Sequence, residues 1–176
     1  MAEIPDSGSD RHLLDSLEHR GDGAAFGEQI YLLVGRSQFF TDFSRDDINL
    51  LAGYMRVYRA QTGQTIIREG GVGDYMLMII DGEIDIYKKN LMGEQQHITS
   101  VTAGVTLGEM SMIDGEPRFA TCVAVKETTF GVLTRDNMVK IILEQPAVGA
   151  KILVKLVTVL SQRLRQTSVQ LLQYMR

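Results

Sequence analysis

Two side chains of opposite charge stand nine residues apart in one short stretch, Leu107-Gly108-Glu109-Met110-Ser111-Met112-Ile113-Asp114-Gly115-Glu116-Pro117-Arg118-Phe119-Ala120-Thr121. A glutamate carboxylate accepts two hydrogen bonds and suits a sugar hydroxyl. An arginine carries a planar fork of donors that fits two oxygens of a phosphate. Gly108 allows a backbone to approach a ligand closely, and the amides that open a helical turn point outward as anion donors. Glu109 and Arg118 on either side of one helical turn would therefore build a pocket with a sugar end and a phosphate end. For an arbitrary Glu and Arg, the ordinary outcome is a surface pair of little worth. Here the surrounding stretch makes the pocket the better reading.

Something must hold that stretch in place. Ten glycines punctuate the chain from Gly63 to Gly131. Between them lie short β-branched or alternating runs: 65–68, 75–80, 83–88, 96–101, 121–125 and 129–133. Asp81-Gly82 between two of these runs predicts a hairpin, and turns are expected at Thr62-Gly63-Gln64 and Leu91-Met92-Gly93. Strands so closely spaced leave no room for crossover helices, which predicts an antiparallel sandwich or roll. In such a fold most connections are tight, so a connection long enough for a helix is a functional candidate. Residues 12–34 read as a weak helical pattern broken by glycines. Ser44 followed by Asp47 predicts a capped helix start, with Ile48, Leu51 and Met55 on one face. A short helix is expected over 136–144, stopped before Pro146. From Ala147 onward Leu153, Leu156, Leu160, Leu164, Thr167, Leu171 and Tyr174 form a heptad-like seam on one long helix.

The stretch 108–121 resembles the phosphate-binding cassette of cyclic nucleotide-binding domains, the family of bacterial catabolite activator proteins, protein kinase A regulatory subunits and cyclic-nucleotide-gated channels. Thr62-Gly63-Gln64-Thr65-Ile66-Ile67-Arg68-Glu69-Gly70 is similar to the family's second strand and turn, and Met76 to Glu83 to its central hairpin. The resemblance covers roughly residues 35–176. It implies an α+β, mainly β fold: an antiparallel double-stranded β-helix, or jelly-roll-like β-roll, with N-terminal helices and a long C-terminal helix. The domain expectation is a flexible leader and helical segment over 1–34, the roll over 35–145, and a lid or dimer helix over 146–176. By the same resemblance Glu109 would bind the ribose 2′-hydroxyl and Arg118 the cyclic phosphate. The Gly108, Glu109, Met110 and Ser111 backbone would meet the phosphate–ribose edge, with Phe119 and Ala120 alongside.

Phe119 departs from the family pattern, where alanine, serine or threonine is usual. Its ring could pack into the roll, stack on the base or block the pocket. Without a threonine there, a hydroxyl that favours guanine is lost, so the resemblance leans toward cAMP over cGMP. Leu107 also departs from the usual aromatic, a change expected to alter packing only. Gln166-Thr167-Ser168 on the last helix resembles the hydroxyl pair that contacts adenine in the catabolite activator, making Thr167 and Ser168 weak candidates for base contacts.

Composition bounds the remaining classes. The apolar and charged fractions are those of a soluble globular protein, and the apolar run Met76–Ile80 is far short of a membrane span. One cysteine, Cys122, excludes an internal disulfide and a Cys-rich metal site, and suits a reducing, cytoplasmic setting. A net charge of −4 argues against a dedicated nucleic-acid binder. The distribution is uneven: residues 1–23 carry six acids and two bases, residues 147–176 five bases and no acid. A basic helix can face nucleic acid or membrane, but bases spread this way read as a solvated face. His12 and His19 read as solvated, and His97, a lone strand histidine, as structural or surface rather than a haem ligand. No nucleophile, metallohydrolase or P-loop motif occurs, so no catalytic residue, metal or cofactor is expected. The expectation is a stand-alone regulatory module that takes a cyclic nucleotide, forms a homodimer through its last helix, and signals to an effector protein through that helix. No helix-turn-helix follows before Arg176, so direct DNA binding is not expected. The alternative is a ligand-blind dimerisation module that kept the roll and lost the pocket.

Overall fold

The run Tyr75–Ile80 is apolar at every position because both of its faces are covered. In the computed structural model, which describes residues 10–174, Tyr75, Leu77 and Ile79 point into one core cluster while Met76, Met78 and Ile80 point into a second. The strand alternation of side chains delivers this division.

The elements run α1 (Asp10–Asp15), β1 (Glu18–Asp22), a 3-10 turn (Gly23–Phe26), α2 (Gly27–Tyr31), α3 (Arg45–Gly53), β2 (Arg56–Ala60), β3 (Thr65–Ile67), β4 (Tyr75–Asp81), β5 (Glu83–Lys89), β6 (Gln95–Thr102), β7 (Thr106–Leu107), α4 (Glu109–Asp114), β8 (Thr121–Ala124), β9 (Thr128–Thr134), α5 (Arg135–Glu144) and α6 (Pro146–Tyr174). One sheet has the order β1-β2-β9-β4-β7 and the other β3-β8-β5-β6, with every pairing antiparallel. The layer between them holds Ile66, Leu77, Ile84 and Phe130; Leu14 and Leu17 from the N-terminal segment join it. The outer face of the first sheet carries the helical layer, where Phe40, Ile48, Leu51, Ile141, Ile152 and Leu156 pack against Met76 and Met78. This is the expected β-roll with a long C-terminal helix. Among the described residues no helix is long and apolar enough to cross a membrane.

Local chemistry explains the helix starts. At α3 the Ser44 hydroxyl accepts from the Asp47 amide at 3.1 Å and the Asp47 carboxylate accepts from the Ser44 amide at 2.9 Å, the reciprocal box read from the sequence. α6 begins with Pro146, whose missing N–H costs nothing in a first turn.

Three expectations are corrected. The 12–34 segment is not one weak helix: it includes β1, which pairs with β2 through a bulge between His19 and Gly21. Asp81-Gly82 does not close a hairpin. β4 pairs with β7 and β9 while β5 pairs with β6 and β8, so the chain turns a corner there from one sheet to the other. Of the flexible leader expected at the start of the 1–34 segment, residues 1–9 lie outside the described residues, and Asp10, which follows them, is held in place. Asp10 is buried at the start of α1, and its amide donates to the Val72 carbonyl at 2.9 Å.

Candidate functional site

The connection from the end of β7 to the start of β8, α4 with its following loop, forms a rim on the roll. Gly108 opens α4 with φ +81°, a conformation that L side chains resist, and so turns the chain from strand into helix. The turn drives Glu109 inward, where its side chain is 1% exposed. Its carboxylate receives Arg163 of α6, whose second terminal nitrogen donates to the Thr106 carbonyl at 2.6 Å. The other carboxylate oxygen of Glu109, Oε2, is buried without a hydrogen-bond partner. Burial pushes the Glu109 carboxyl above the usual carboxylate range, and the Arg163 charge opposes that only in part.

Arg118 sits beyond α4, where its backbone is strapped to residues 70–71: its amide donates to the Gly71 carbonyl and its carbonyl accepts from the Gly70 amide, both at 2.8 Å. Its guanidinium is buried and engaged through two of its three nitrogens. Nη1 donates to the Tyr75 carbonyl at 2.9 Å and to the Gly108 carbonyl at 3.0 Å, and Nε donates to the Asp10 carboxylate at 2.7 Å. The Tyr75 ring lies 4.4 Å beneath it. Nη2 is buried with no partner. Gly73 makes room for this group, since a Cβ there would stand 2.3 Å from Nη2.

These side chains wall a cleft enclosing about 510 Å³ of atom-free space, part of it open to solvent. Ile67, Ile86, Leu107 and Cys122 form its apolar floor; Glu109, Ser111, Arg118 and Arg163 form its polar side; Gly108, Met110, Phe119 and Ala120 complete the lining. An apolar concavity with a few convergent polar groups is the usual architecture of a small-molecule site. The two orphaned atoms, one acceptor and one donor, are those that a hydroxyl and an anionic oxygen would satisfy.

The family model for the cyclic nucleotide-binding domain matches residues 57–145, just over half of the 176 residues. The chain belongs to the cyclic nucleotide-binding domain family. A cyclic nucleotide-binding domain from Methylobacillus flagellatus KT, solved by crystallography, is 37% identical, with a TM-score of 0.82 over 91% of this chain and 90% of that one. The cAMP-dependent protein kinase regulatory subunit of Blastocladiella emersonii is 27% identical over 116 residues, which are 66% of this chain and 29% of that protein. The Cyclic AMP receptor protein of Thermus thermophilus is 25% identical over 135 residues, 77% of this chain and 61% of that protein. The chain thus spans less than two thirds of the length of both of these relatives, whose family is one of ligand-binding regulatory domains.

Within this cyclic nucleotide-binding fold the sequence-predicted residues divide into two groups. Gly108, Glu109, Met110, Ser111, Arg118, Phe119 and Ala120 all line the one cleft. Thr167 and Ser168 do not: both are exposed on α6, beyond the turn that carries Arg163. Phe119 does not pack into the roll. Its ring is 62% exposed, and the Lys88 ammonium, which also donates to the Phe119 carbonyl at 2.7 Å and to Glu69 at 2.8 Å, lies 4.4 Å over it. His97 is half exposed on β6 with its Nε2 3.2 Å from Asp85, outside the cleft.

Sequence reasoning missed Arg163 and Asp10. The signal for Arg163 was present in the charge pattern. A helix with four bases and no acid finds acids elsewhere, and three of the four do: Lys151 pairs with Asp47, Lys155 with Asp42 and Arg163 with Glu109. The basic face is therefore in large part bound to the body of the molecule rather than simply solvated. Asp10 offered no signal, because a lone acid in a polar leader looks like any other.

Proposed function

We propose that the chain is a cyclic nucleotide-binding regulatory module, with cAMP favoured over cGMP. The observation that carries this reading is the convergence of Glu109 and Arg118, both buried, on one cleft, each with one atom lacking a partner. Arg118 Nη2 is the donor for a cyclic phosphate oxygen, and Glu109 Oε2 is the acceptor for the ribose 2′-hydroxyl. The exposed Phe119 ring at the cleft is the proposed stacking partner of the base. Ser111 and the Gly108–Met110 backbone complete the phosphate–ribose edge.

Signal output runs through α6. Arg163 ties that helix to the carboxylate that the ribose uses, so filling the cleft changes the partners of a group on which the helix position depends. A ligand that reads one helix position better than the other shifts the balance between them. In the position seen here Thr167 and Ser168 stand clear of the cleft, and base contacts from them require α6 to close. The exposed apolar side chains of α6, Leu164 and Leu171 among them, are the proposed homodimer surface, and an effector protein would read the outcome in the cytoplasm.

Isothermal titration of the folded protein with cAMP, cGMP and cyclic dinucleotides tests the reading. Saturable cAMP binding is expected, lost in Arg118→Ala. At a cAMP concentration of 100 times Kd, stability should rise by roughly 2.7 kcal/mol. No heat and no thermal shift at millimolar nucleotide would instead favour a ligand-blind module. The observation on that side is that the four charges of the site already pair among themselves.

A further inference from the structure

The acid that meets Arg118 comes from 108 residues away in the chain, at the start of α1. The contact is built rather than incidental. Both side chains are 1% exposed. Asp10 is held by its amide bond to the Val72 carbonyl, and Gly71 gives it room, since a Cβ there would stand 2.7 Å from Asp10 Oδ1. The segment is anchored a turn later by Leu14 and Leu17, buried in the layer between the sheets.

The close charges of this cluster are paired, Arg118 with Asp10 and Arg163 with Glu109, and Arg68 adds a weaker attraction on Asp10. A cyclic nucleotide brings one more negative charge to the same guanidinium. In a site this buried, two anions on one arginine repel far more strongly than they would in water. The Asp10 contact is also incomplete. An arginine and a carboxylate can share two parallel hydrogen bonds, but only Nε engages here, and Asp10 Oδ1 and Arg118 Nη2 are both left without partners. Burial holds the Asp10 carboxyl above the usual carboxylate range against the pull of Arg118 and, more weakly, of Arg68, so returning it to water recovers part of that cost.

We propose that Asp10 is an internal counter-charge that competes with the ligand phosphate for the charge of Arg118: docking of α1 and capture of a cyclic nucleotide oppose one another, and nucleotide binding releases the N-terminal segment. This rests on the reading of the cleft as a cyclic-nucleotide site. It gives the module a second output, at the end of the chain opposite α6. While α1 is docked the Arg118 charge is already paired, so apparent affinity scales with the fraction of molecules in which α1 is released.

The test uses the full chain and cAMP. Asp10→Asn, close in shape but uncharged, should bind cAMP at least tenfold more tightly than the unmodified protein by isothermal titration. In the unmodified protein, cAMP should lower hydrogen-exchange protection of the amides over 10–17, a readout that does not depend on how the variant folds. Equal or weaker binding by Asp10→Asn would make Asp10 a positioning residue for Arg118 and overturn the proposal while leaving the nucleotide reading intact. Unchanged or increased protection of 10–17 on binding would overturn it too. If neither protein binds cAMP, the nucleotide reading falls and the competing counter-charge with it.

Discussion

Glu109 is held where its charge is unwelcome, and that has a measurable sign. Its carboxyl titrates above the usual range because burial outweighs the help of Arg163. The folded state therefore takes up a proton more readily than the unfolded chain, and stability contributed by this site falls as pH rises from the ordinary glutamate range through the folded value. Glu109→Gln removes that slope. Arg163, 39% exposed, can turn to water when its partner is neutral, so no stranded buried charge results. The expected outcome is a variant that gains on the unmodified protein between pH 4 and pH 7 in urea denaturation. Asp10 imposes a slope of the same sign, which the variant keeps. The same substitution should weaken cAMP binding about tenfold or more, since a hydrogen bond to a charged group is worth about 1.5–3 kcal/mol. A residue that costs stability and gives affinity is the pattern expected of a binding group.

Among the elements, legibility followed sequence distance. Strands β3 to β6, β8 and β9 were readable because each carries its own β-branched or alternating signal. β7 has two residues, too few for any period, and β1 reads Glu18-His19-Arg20-Gly21-Asp22, a strand only because β2 offers it an edge. The cassette was readable as a local motif. Its surroundings were not: Glu109 meets Arg163 across 54 positions and Arg118 meets Asp10 across 108. The loop before β4 carries a sharper test of the site than the cassette itself. Gly73→Ala would place a methyl 2.3 Å from Arg118 Nη2, and the guanidinium cannot swing aside while Tyr75, Gly108 and Asp10 hold it. Overpacking of this kind costs about 1–3 kcal/mol. The expected result is a folded protein with cAMP affinity reduced at least tenfold. Gly53→Ala in α3, where nothing lies within 4 Å of the added Cβ, is the control and should leave affinity unchanged.

For the molecule as a whole, part of the uneven charge of the sequence is met by internal ion pairs. Acids at positions 10, 42, 47 and 109 meet bases at 118, 155, 151 and 163, so its charge asymmetry is partly spent internally. α6 also leaves large apolar side chains outward: Leu164, Val169, Leu171 and Leu172 are each more than half exposed. Sedimentation at micromolar concentration should therefore report a dimer, and Leu164→Glu with Leu171→Glu should return it to monomer without changing the urea midpoint of the roll. The floor of the cleft adds one more consequence. Cys122 is the chain's only cysteine; it is buried, and burial pushes its thiol up to about 12. At neutral pH it is not a thiolate, and nucleophilic sulfur chemistry needs the thiolate. Cys122 in the cleft floor is thereby slow to react with alkylating reagents while the protein is folded, and the oxidisable sulfur the cleft presents to solvent is instead that of Met110, which lines it half exposed.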